Sequence, residues 1–199
     1  MKSENRTSIA ALLLVIVFLS VFAGCGPRPE KYGLLLWSPN EDTIVTGTIV
    51  PIFEESSITN TYTIGGPDTE SMFEIPMWRV ASYRNKGQAT EAAKKYQPLR
   101  DIVARVDADG LPIRAEPTST ADRVYKLKKG ETIKVLEKSE EPATEGPYTD
   151  YWYRVLTKNG TIGFCFGYSL TMMKNGETMQ EEEKAAPDPQ INTILRSVW

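Results

Sequence analysis

The sequence contains no histidine and only two cysteines. Nucleophilic sites of the Ser-His-Asp and Cys-His kinds need an imidazole that takes up a proton near neutral pH, and most catalytic zinc sites need one as a ligand. Both kinds of site are therefore nearly excluded. A pair of carboxylates could still act as in glycoside hydrolysis, but 26 acidic residues make adjacent carboxylates inevitable. We expect a protein that is not an enzyme.

The sequence also lacks an excess of positive charge. Its 23 Lys and Arg stand against 26 Asp and Glu, a net charge of −3, and it has no basic stripe of the kind that nucleic-acid binding needs. Asp107–Gly110 is similar to the start of a calcium loop, but the middle acid is missing and Pro112 interrupts it. We expect no nucleic-acid partner, no metal site and no cofactor.

The first 25 residues are typical of a secretory signal peptide. Lys2 and Arg6 precede an apolar run from Ile9 to Ala23, which is shorter than the roughly 20 residues that a membrane-spanning helix needs. Its end, Phe22-Ala23-Gly24-Cys25, resembles the lipobox of bacterial lipoproteins, although Phe22 replaces the usual Leu. The resemblance implies that Cys25 is acylated and anchors the chain to a membrane on its extracytoplasmic side. An ordinary signal peptide or a short anchor helix is the alternative.

Lipidation of Cys25 would leave Cys165 as the second, unpaired cysteine. Cys165 lies in the apolar run Ile162–Phe166. A lone cysteine in such a run is usually a small core residue rather than a nucleophile. We expect Cys165 to be a buried free thiol.

Short strands with turn signals dominate the region from Leu111 to Leu170. Asn159-Gly160 between two apolar strands is the strongest hairpin signal, because both turn positions need a positive φ. The pieces, in chain order, are LPIRAEPT (111–118), VYKLKKG (124–130), TIKVL (132–136), YWYRV (151–155), KNG (158–160) and GFCFGYSL (163–170).

This order of motifs resembles the bacterial SH3 (SH3b) domain. The resemblance implies a mainly β fold, a small and strongly bent barrel. The sequence departs from the family pattern at Phe164 and Cys165, which replace Trp and Val, and in a polar insertion from Ser139 to Thr149.

An earlier segment is similar to a degenerate copy of the same pattern. Three pairs of segments match in order: Leu36–Pro39 with Ile113–Pro117, Gly47–Ser56 with Gly130–Ser139, and Trp78–Val80 with Tyr153–Val155. Pro51 predicts an edge strand, since proline cannot donate to a ladder. We therefore expect two SH3-like modules in tandem.

The expected organisation has six parts. They are a lipoprotein signal peptide (1–24), a tether (25–31), a degenerate SH3-like module (32–86), a helical connector (87–109), an SH3b domain (110–172), and a polar linker with a C-terminal apolar segment (173–199).

Candidate ligand-binding residues are aromatic. Alternation places Tyr153 and Cys165 inside the barrel and sends Trp152 and Phe164 to the opposite face, where amphipathic aromatics can anchor a peptide or a sugar. Two further candidates are Tyr125 and Tyr148. The alternative is that a barrel this small needs its aromatics to cover its core.

The function that follows is a lipid-anchored, non-catalytic binding or scaffold module of the bacterial cell envelope. The resemblance to SH3b domains implies peptidoglycan or an envelope protein as its partner, besides the membrane reached through Cys25. Two alternatives stay open: a surface-exposed adhesin or host-interaction lipoprotein, and an accessory subunit of a cell-wall hydrolase.

Overall fold

A computed structural model describes residues 28–66, 71–174 and 177–179. In these ranges the chain is mainly β, as predicted, with one short α-helix. The signal peptide, Cys25 and the apolar segment that begins at Ile191 lie outside the described residues. No helix within the described part is long and apolar enough to cross a membrane.

The N-terminal domain is a five-stranded antiparallel sheet in the order β4-β3-β2-β1-β5. Its elements are β1 (Lys31–Leu35), β2 (Ile49–Ser56), β3 (Thr61–Gly65), β4 (Met72–Pro76), the 3-10 turn η1 (Met77–Arg79) and β5 (Val80–Tyr83). Its core consists of Leu35, Ile44, Val50, Ile52, Tyr62, Ile64, Ile75 and Val80. Burial of each large side chain stabilises the fold by about 1.5–3 kcal/mol.

Pro51 does not lie on an edge strand, because β2 sits between β1 and β3. The edge-strand prediction is therefore wrong. Pairing between β2 and β3 begins at Ile52, which faces Ile64. Pro51 precedes that first pair, so its missing N–H removes no bond from the β2–β3 ladder.

A helix and a 3-10 turn follow the N-terminal sheet, namely α1 (Lys86–Tyr96) and η2 (Gln97–Leu99). Asn85 caps α1, since its side-chain oxygen accepts a hydrogen bond from the N–H of Gln88 at 2.9 Å. Ala89 and Tyr96 are the buried residues of α1. The helix therefore packs against the N-terminal sheet along a narrow face and exposes the rest.

The C-terminal domain contains an eight-stranded sheet and a separate two-stranded ribbon. Its elements are β6 (Ile102–Val106), β7 (Leu111–Arg114), β8 (Arg123–Leu127), β9 (Thr132–Lys138), β10 (Ala143–Glu145), β11 (Tyr148–Asp150), β12 (Trp152–Leu156), β13 (Ile162–Phe166), η3 (Gly167–Ser169), β14 (Leu170–Lys174) and β15 (Glu177–Thr178). The ribbon β10–β11 occupies the polar insertion.

Five strands of the C-terminal sheet repeat the order of the N-terminal sheet. The run β13-β12-β9-β6-β14 corresponds to β4-β3-β2-β1-β5, and the hairpin β7–β8 and strand β15 are additions at the two edges. Strand β6 is therefore the counterpart of β1, although the sequence placed residues 102–106 in a connector. The signal was weak because Ile102–Val106 precedes every SH3b motif that the sequence shows.

The repeat also changes one of the sequence matches. Trp78 lies in η1, just before the last strand of its sheet, whereas Tyr153 lies in β12. The residue in the same position as Trp78 is Tyr168, the middle residue of η3. The match of Trp78–Val80 with Tyr153–Val155 therefore rested on similar sequence alone, since the two segments occupy different positions in their domains.

Candidate binding groove between the two domains

A groove of about 770 Å³ lies between the two domains. It is called the interdomain groove below. The N-terminal domain and the helical segment line it with Leu34, Leu36, Met77, Trp78, Val80, Ala81, Tyr83, Ala92, Lys95, Tyr96, Pro98 and Leu99, and the C-terminal domain lines it with Leu136, Glu137, Lys138, Arg154 and Ile162.

Strand alternation decides which side chains of the C-terminal sheet face the groove. Ile133 and Val135 of β9 belong to the core, so Lys134 and Leu136 point to the other face. In β12, Val155 belongs to the core and Arg154 lines the groove. The outer face of this sheet is thus turned toward the N-terminal domain.

Lys134 holds the segment that joins the two domains against the C-terminal sheet. Its Nζ donates hydrogen bonds to the carbonyl oxygens of Leu99 and Arg100, both at 2.8 Å, and of Ile102 at 2.7 Å. These bonds use all three donors of the ammonium group. The side chain is only 1% exposed, and burial lowers its pKa to about 8 against the opposing effect of Asp101. A lysine of β9 therefore fixes the segment that leaves α1.

Tyr96 ties α1 to the N-terminal domain and contacts Lys134 of the C-terminal sheet. Its hydroxyl donates to the carbonyl oxygen of Leu36 at 2.6 Å, and the Lys134 ammonium lies 5.4 Å from the centre of its ring. Burial raises the pKa of Tyr96, so the phenol stays protonated and keeps its hydrogen bond.

Trp78 forms a direct link between the two domains, because its ring lies against Gly160. A Cβ at position 160 would come within 2.8 Å of the Trp78 ring, so only glycine permits this contact. The Arg79 guanidinium lies 4.3 Å from the ring centre and donates to the carbonyl oxygen of Trp37 at 2.9 Å. Burial lowers the pKa of Arg79. The turn η1 thereby docks onto the β12–β13 hairpin.

Positive charge predominates on the walls of the groove. Lys95, Lys138 and Arg154 line it, against Glu137 as the single acid among its lining residues. Arg154 lies opposite Glu137 in the β9–β12 register, yet within the described ranges none of the three cations forms an ion pair. The Lys138 ammonium lies 3.5 Å from the ring centre of Tyr151. The groove combines apolar and aromatic walls with three cations that, among the described residues, form no ion pair.

Trp152, a predicted ligand-binding residue, is buried rather than exposed. The alternation of the strand predicted its face correctly. Trp152 pairs with Phe166 across the β12–β13 ladder, whereas the next residue, Tyr153, pairs with the core residue Cys165. The side chain is nevertheless only 5% exposed and packs at 5.4 Å from Phe166. Its Nε1 has no hydrogen-bond partner among the described residues. The outer face is partly covered here, so facing away from the core does not mean facing solvent.

The other three predicted aromatics lie apart from the groove. Phe164 is half-buried and pairs with Arg154 of β12 on one side and with Arg114 of β7 on the other. Tyr125 is half-buried and packs against the core of the C-terminal sheet. Tyr148 is 42% exposed and stacks on Tyr168 with ring centres 3.5 Å apart.

Sequence reasoning missed the aromatic residues that line the groove, namely Trp78, Tyr83 and Tyr96. They come from the N-terminal domain and α1, where the SH3b pattern is weakest. Trp78 was visible in the sequence only as part of a repeat. A pattern within one sheet cannot indicate which face meets another domain.

Two further expectations concern metal ions and Cys165. Within the described part of the chain, no cluster of Cys, Asp and Glu could hold a metal ion. Cys165 is a fully buried free thiol, as predicted, and its Sγ donates to the carbonyl oxygen of Pro112 at 3.4 Å. Burial raises the pKa of Cys165 to about 12, so the thiol is not a nucleophile at neutral pH.

Comparison with known families gives two matches, one for each domain. Residues 31–98 match the domain described as "TP0260 family, N-terminal SH3 domain". Residues 109–180 match the family described as "Bacterial SH3 domain". The first match includes α1, so the helix belongs to the N-terminal unit rather than to a separate connector.

Comparison with whole proteins gives a relative in Treponema pallidum (strain Nichols), an uncharacterized protein that is 31% identical over 195 residues. The match covers 95% of this chain and 43% of the relative, so the chain spans less than half of the relative's length. A solved structure, NlpC2 from Trichomonas vaginalis, aligns with 86% of this chain and 57% of its own at 9% identity, with a TM-score of 0.29. A TM-score this low supports no statement about a shared fold.

Proposed function

We propose that this chain, which carries two bacterial SH3 domains in tandem, is a non-catalytic binding module of the bacterial envelope that takes its ligand in the interdomain groove. SH3 domains suggest a binding module. The observation that carries the proposal is the groove itself, because both domains contribute to its walls. Concave sites with apolar and aromatic walls and a few polar groups, often between domains, are the usual form of a ligand site.

The junction supports this proposal because it is built to hold one geometry. Trp78 of the N-terminal domain lies against Gly160 of the C-terminal domain. Lys134 of the C-terminal sheet holds the carbonyls of Leu99 and Arg100, and its ammonium lies 5.4 Å from the Tyr96 ring. A binding site on two domains needs them at a constant distance, since a ligand otherwise has to pay the entropy of ordering them. These contacts around one groove meet that need.

The proposed location is the extracytoplasmic face of a membrane, with the chain held by lipid on Cys25. Stable anchoring takes more than one acyl chain, which a multiply acylated cysteine provides. Strand β1 begins at Lys31, so a fully extended tether of six residues spans only about 20 Å. The groove would then lie close to the membrane, facing peptidoglycan and other envelope proteins, and we propose these as the source of the ligand.

A bulky side chain placed in the groove tests this function. Ala81 lines the groove, whereas its neighbour Ser82 is exposed and does not line it. Ala81→Trp and Ser82→Trp are therefore a matched pair. Each full-length variant is incubated with purified peptidoglycan sacculi and, separately, with solubilised envelope proteins under cross-linking.

The expected result is that wild type and Ser82→Trp are retained on one of the two materials and Ala81→Trp is not. Retention of all three proteins to the same extent would show that the groove is not the binding site. No retention of the wild type on either material would contradict binding in the envelope. Equal melting temperatures of the two variants exclude misfolding as the cause of a loss.

A further inference from the structure

We infer that the ligand of the interdomain groove is an extended acidic segment of another protein, with carboxylates beside at least one apolar side chain. The inference rests on the proposed function, since it names the ligand class of the same groove. Two independent features support it, namely the charges on the groove walls and the free edge of the N-terminal sheet.

Among the residues that the structure describes, the cations on both walls of the groove form no ion pair. Arg154 and Lys138 lie on the C-terminal wall and Lys95 on the helical wall. Lys94, the neighbour of Lys95, forms an ion pair with Glu91 at 2.8 Å, but Lys95 has no carboxylate within ion-pair distance among the described residues. A guanidinium offers donors in a fork that matches a carboxylate. An anionic ligand would complement this surface.

The edge of the N-terminal sheet favours a ligand in an extended conformation. Strand β5 pairs only with β1 among the described strands, and Val80, Ala81 and Tyr83 of β5 line the groove. The outer edge of such a strand presents backbone groups to which another chain can add as a strand. A peptide lying along β5 would run through the groove and reach the cations opposite.

The walls favour a protein segment over a glycan. Leu136 and Ile162 are half-buried side chains on one wall and Tyr83 is half-buried on the other. The small side chains of Ala81 and Ala92 leave space between these walls. An apolar side chain would fill that space, whereas the neutral hydroxyls of a sugar chain would be desolvated there without partners.

The experiment selects ligands from a displayed library of short random peptides, with the full chain as bait. We expect enrichment of sequences that combine Asp or Glu with an apolar residue. The best peptide is then titrated against three variants. Arg154→Gln should weaken its binding about tenfold, because a hydrogen bond to a charged group is lost. Glu137→Gln should strengthen binding or leave it unchanged. Arg123→Gln, an exposed control outside the groove, should leave it unchanged.

Enrichment of neutral or basic peptides, or full binding by Arg154→Gln, would overturn the acidic ligand. If such peptides still fail to bind Ala81→Trp, the groove remains the binding site and only this inference fails. Peptides that bind Ala81→Trp as well as wild type would instead contradict the proposed function. Retention on peptidoglycan sacculi that depends on Ala81, without selection of any acidic peptide, would identify peptidoglycan as the ligand and overturn the inference.

Discussion

Gly47 and Gly130 hold the same place in the two domains. Each donates its backbone N–H at 2.7 Å to the carbonyl oxygen of the last residue of its domain's first strand, Leu35 and Val106 respectively. Their φ angles are 85° and 82°. Leu35 and Val106 in turn donate to the residue after each glycine, at 3.0 and 2.9 Å. The same turn therefore introduces the second strand of both SH3 domains.

Replacement of either glycine by alanine should destabilise its domain. A Cβ in the left-handed region costs about 1–2 kcal/mol. A Cβ at position 130 would meet no atom within 4 Å beyond its chain neighbours, so Gly130→Ala isolates the backbone effect. At Gly47 the Cβ would also come within 2.8 Å of Arg100. Chemical denaturation measures the loss. Gly87→Ala, in the first turn of α1, is the control and should be neutral or stabilising. If Gly130→Ala has the same unfolding free energy as the wild type, a Cβ at this positive φ carries no such cost.

The Lys134 junction should respond to pH. The pKa of Lys134 is about 8 in the folded protein against an ordinary value of 10.5, so between these values the unfolded chain binds more protons than the folded one. Unfolding free energy attributable to this group therefore rises as pH rises from about 8 to 10.5. Denaturation of wild type and Lys134→Met at several pH values isolates the effect. The unfolding free energy of the wild type should rise relative to that of Lys134→Met as the pH rises from about 8 to 10.5. A difference that stays constant with pH would show that the pKa of Lys134 is not lowered by folding.

Trp152 should behave as a packing residue and not as a ligand contact. Trp152→Ala should cost about 3–5 kcal/mol of stability, as for other large buried aromatics. Trp152→Phe keeps most of the ring and removes an indole N–H that has no partner among the described residues, so its cost should be much smaller. Thermal denaturation compares the two variants. Normal stability of Trp152→Ala together with lost ligand binding would restore the surface interpretation.

Cys165 should react with thiol reagents only after unfolding. In a Cys25→Ser background it is the single thiol, so the stoichiometry of labelling is unambiguous. Cys165→Val should cost about 1–3 kcal/mol, since valine adds roughly a methyl group's volume to a packed core and one weak bond to Pro112 is lost. Rapid labelling of the native protein would show that the site opens readily.

The lipid anchor on Cys25 is tested by cell fractionation. Cys25→Ser should move the protein from the membrane fraction to the soluble fraction and abolish labelling with radioactive fatty acid. The matched control is Cys165→Ser, which should stay in the membrane fraction. Cys25→Ser protein that fractionates with membranes at the wild-type level would rule out the anchor.

Much of the fold was readable because its signals are local. The hairpin at Asn159-Gly160, the alternation in β9 and β12, and the match between Gly47 and Gly130 all depend on neighbouring residues or on a repeated motif. These signals predicted a mainly β chain, two SH3 domains in tandem and a buried Cys165. Strand β6 was not predicted, because its five residues, Ile102–Val106, match no motif of the SH3b pattern.

What the sequence determined by itself was which face of each strand a side chain occupies, since alternation is a property of the backbone. What only the tertiary structure decided was which of those faces is covered. Lys134 and Arg154 both point away from the core of the C-terminal sheet, yet Lys134 is buried against three carbonyl groups and Arg154 is exposed in the groove. The difference arises because the segment after α1 docks over one end of that face and leaves the other open. The sequence pattern of β9 or β12 does not indicate where another part of the chain packs against these strands.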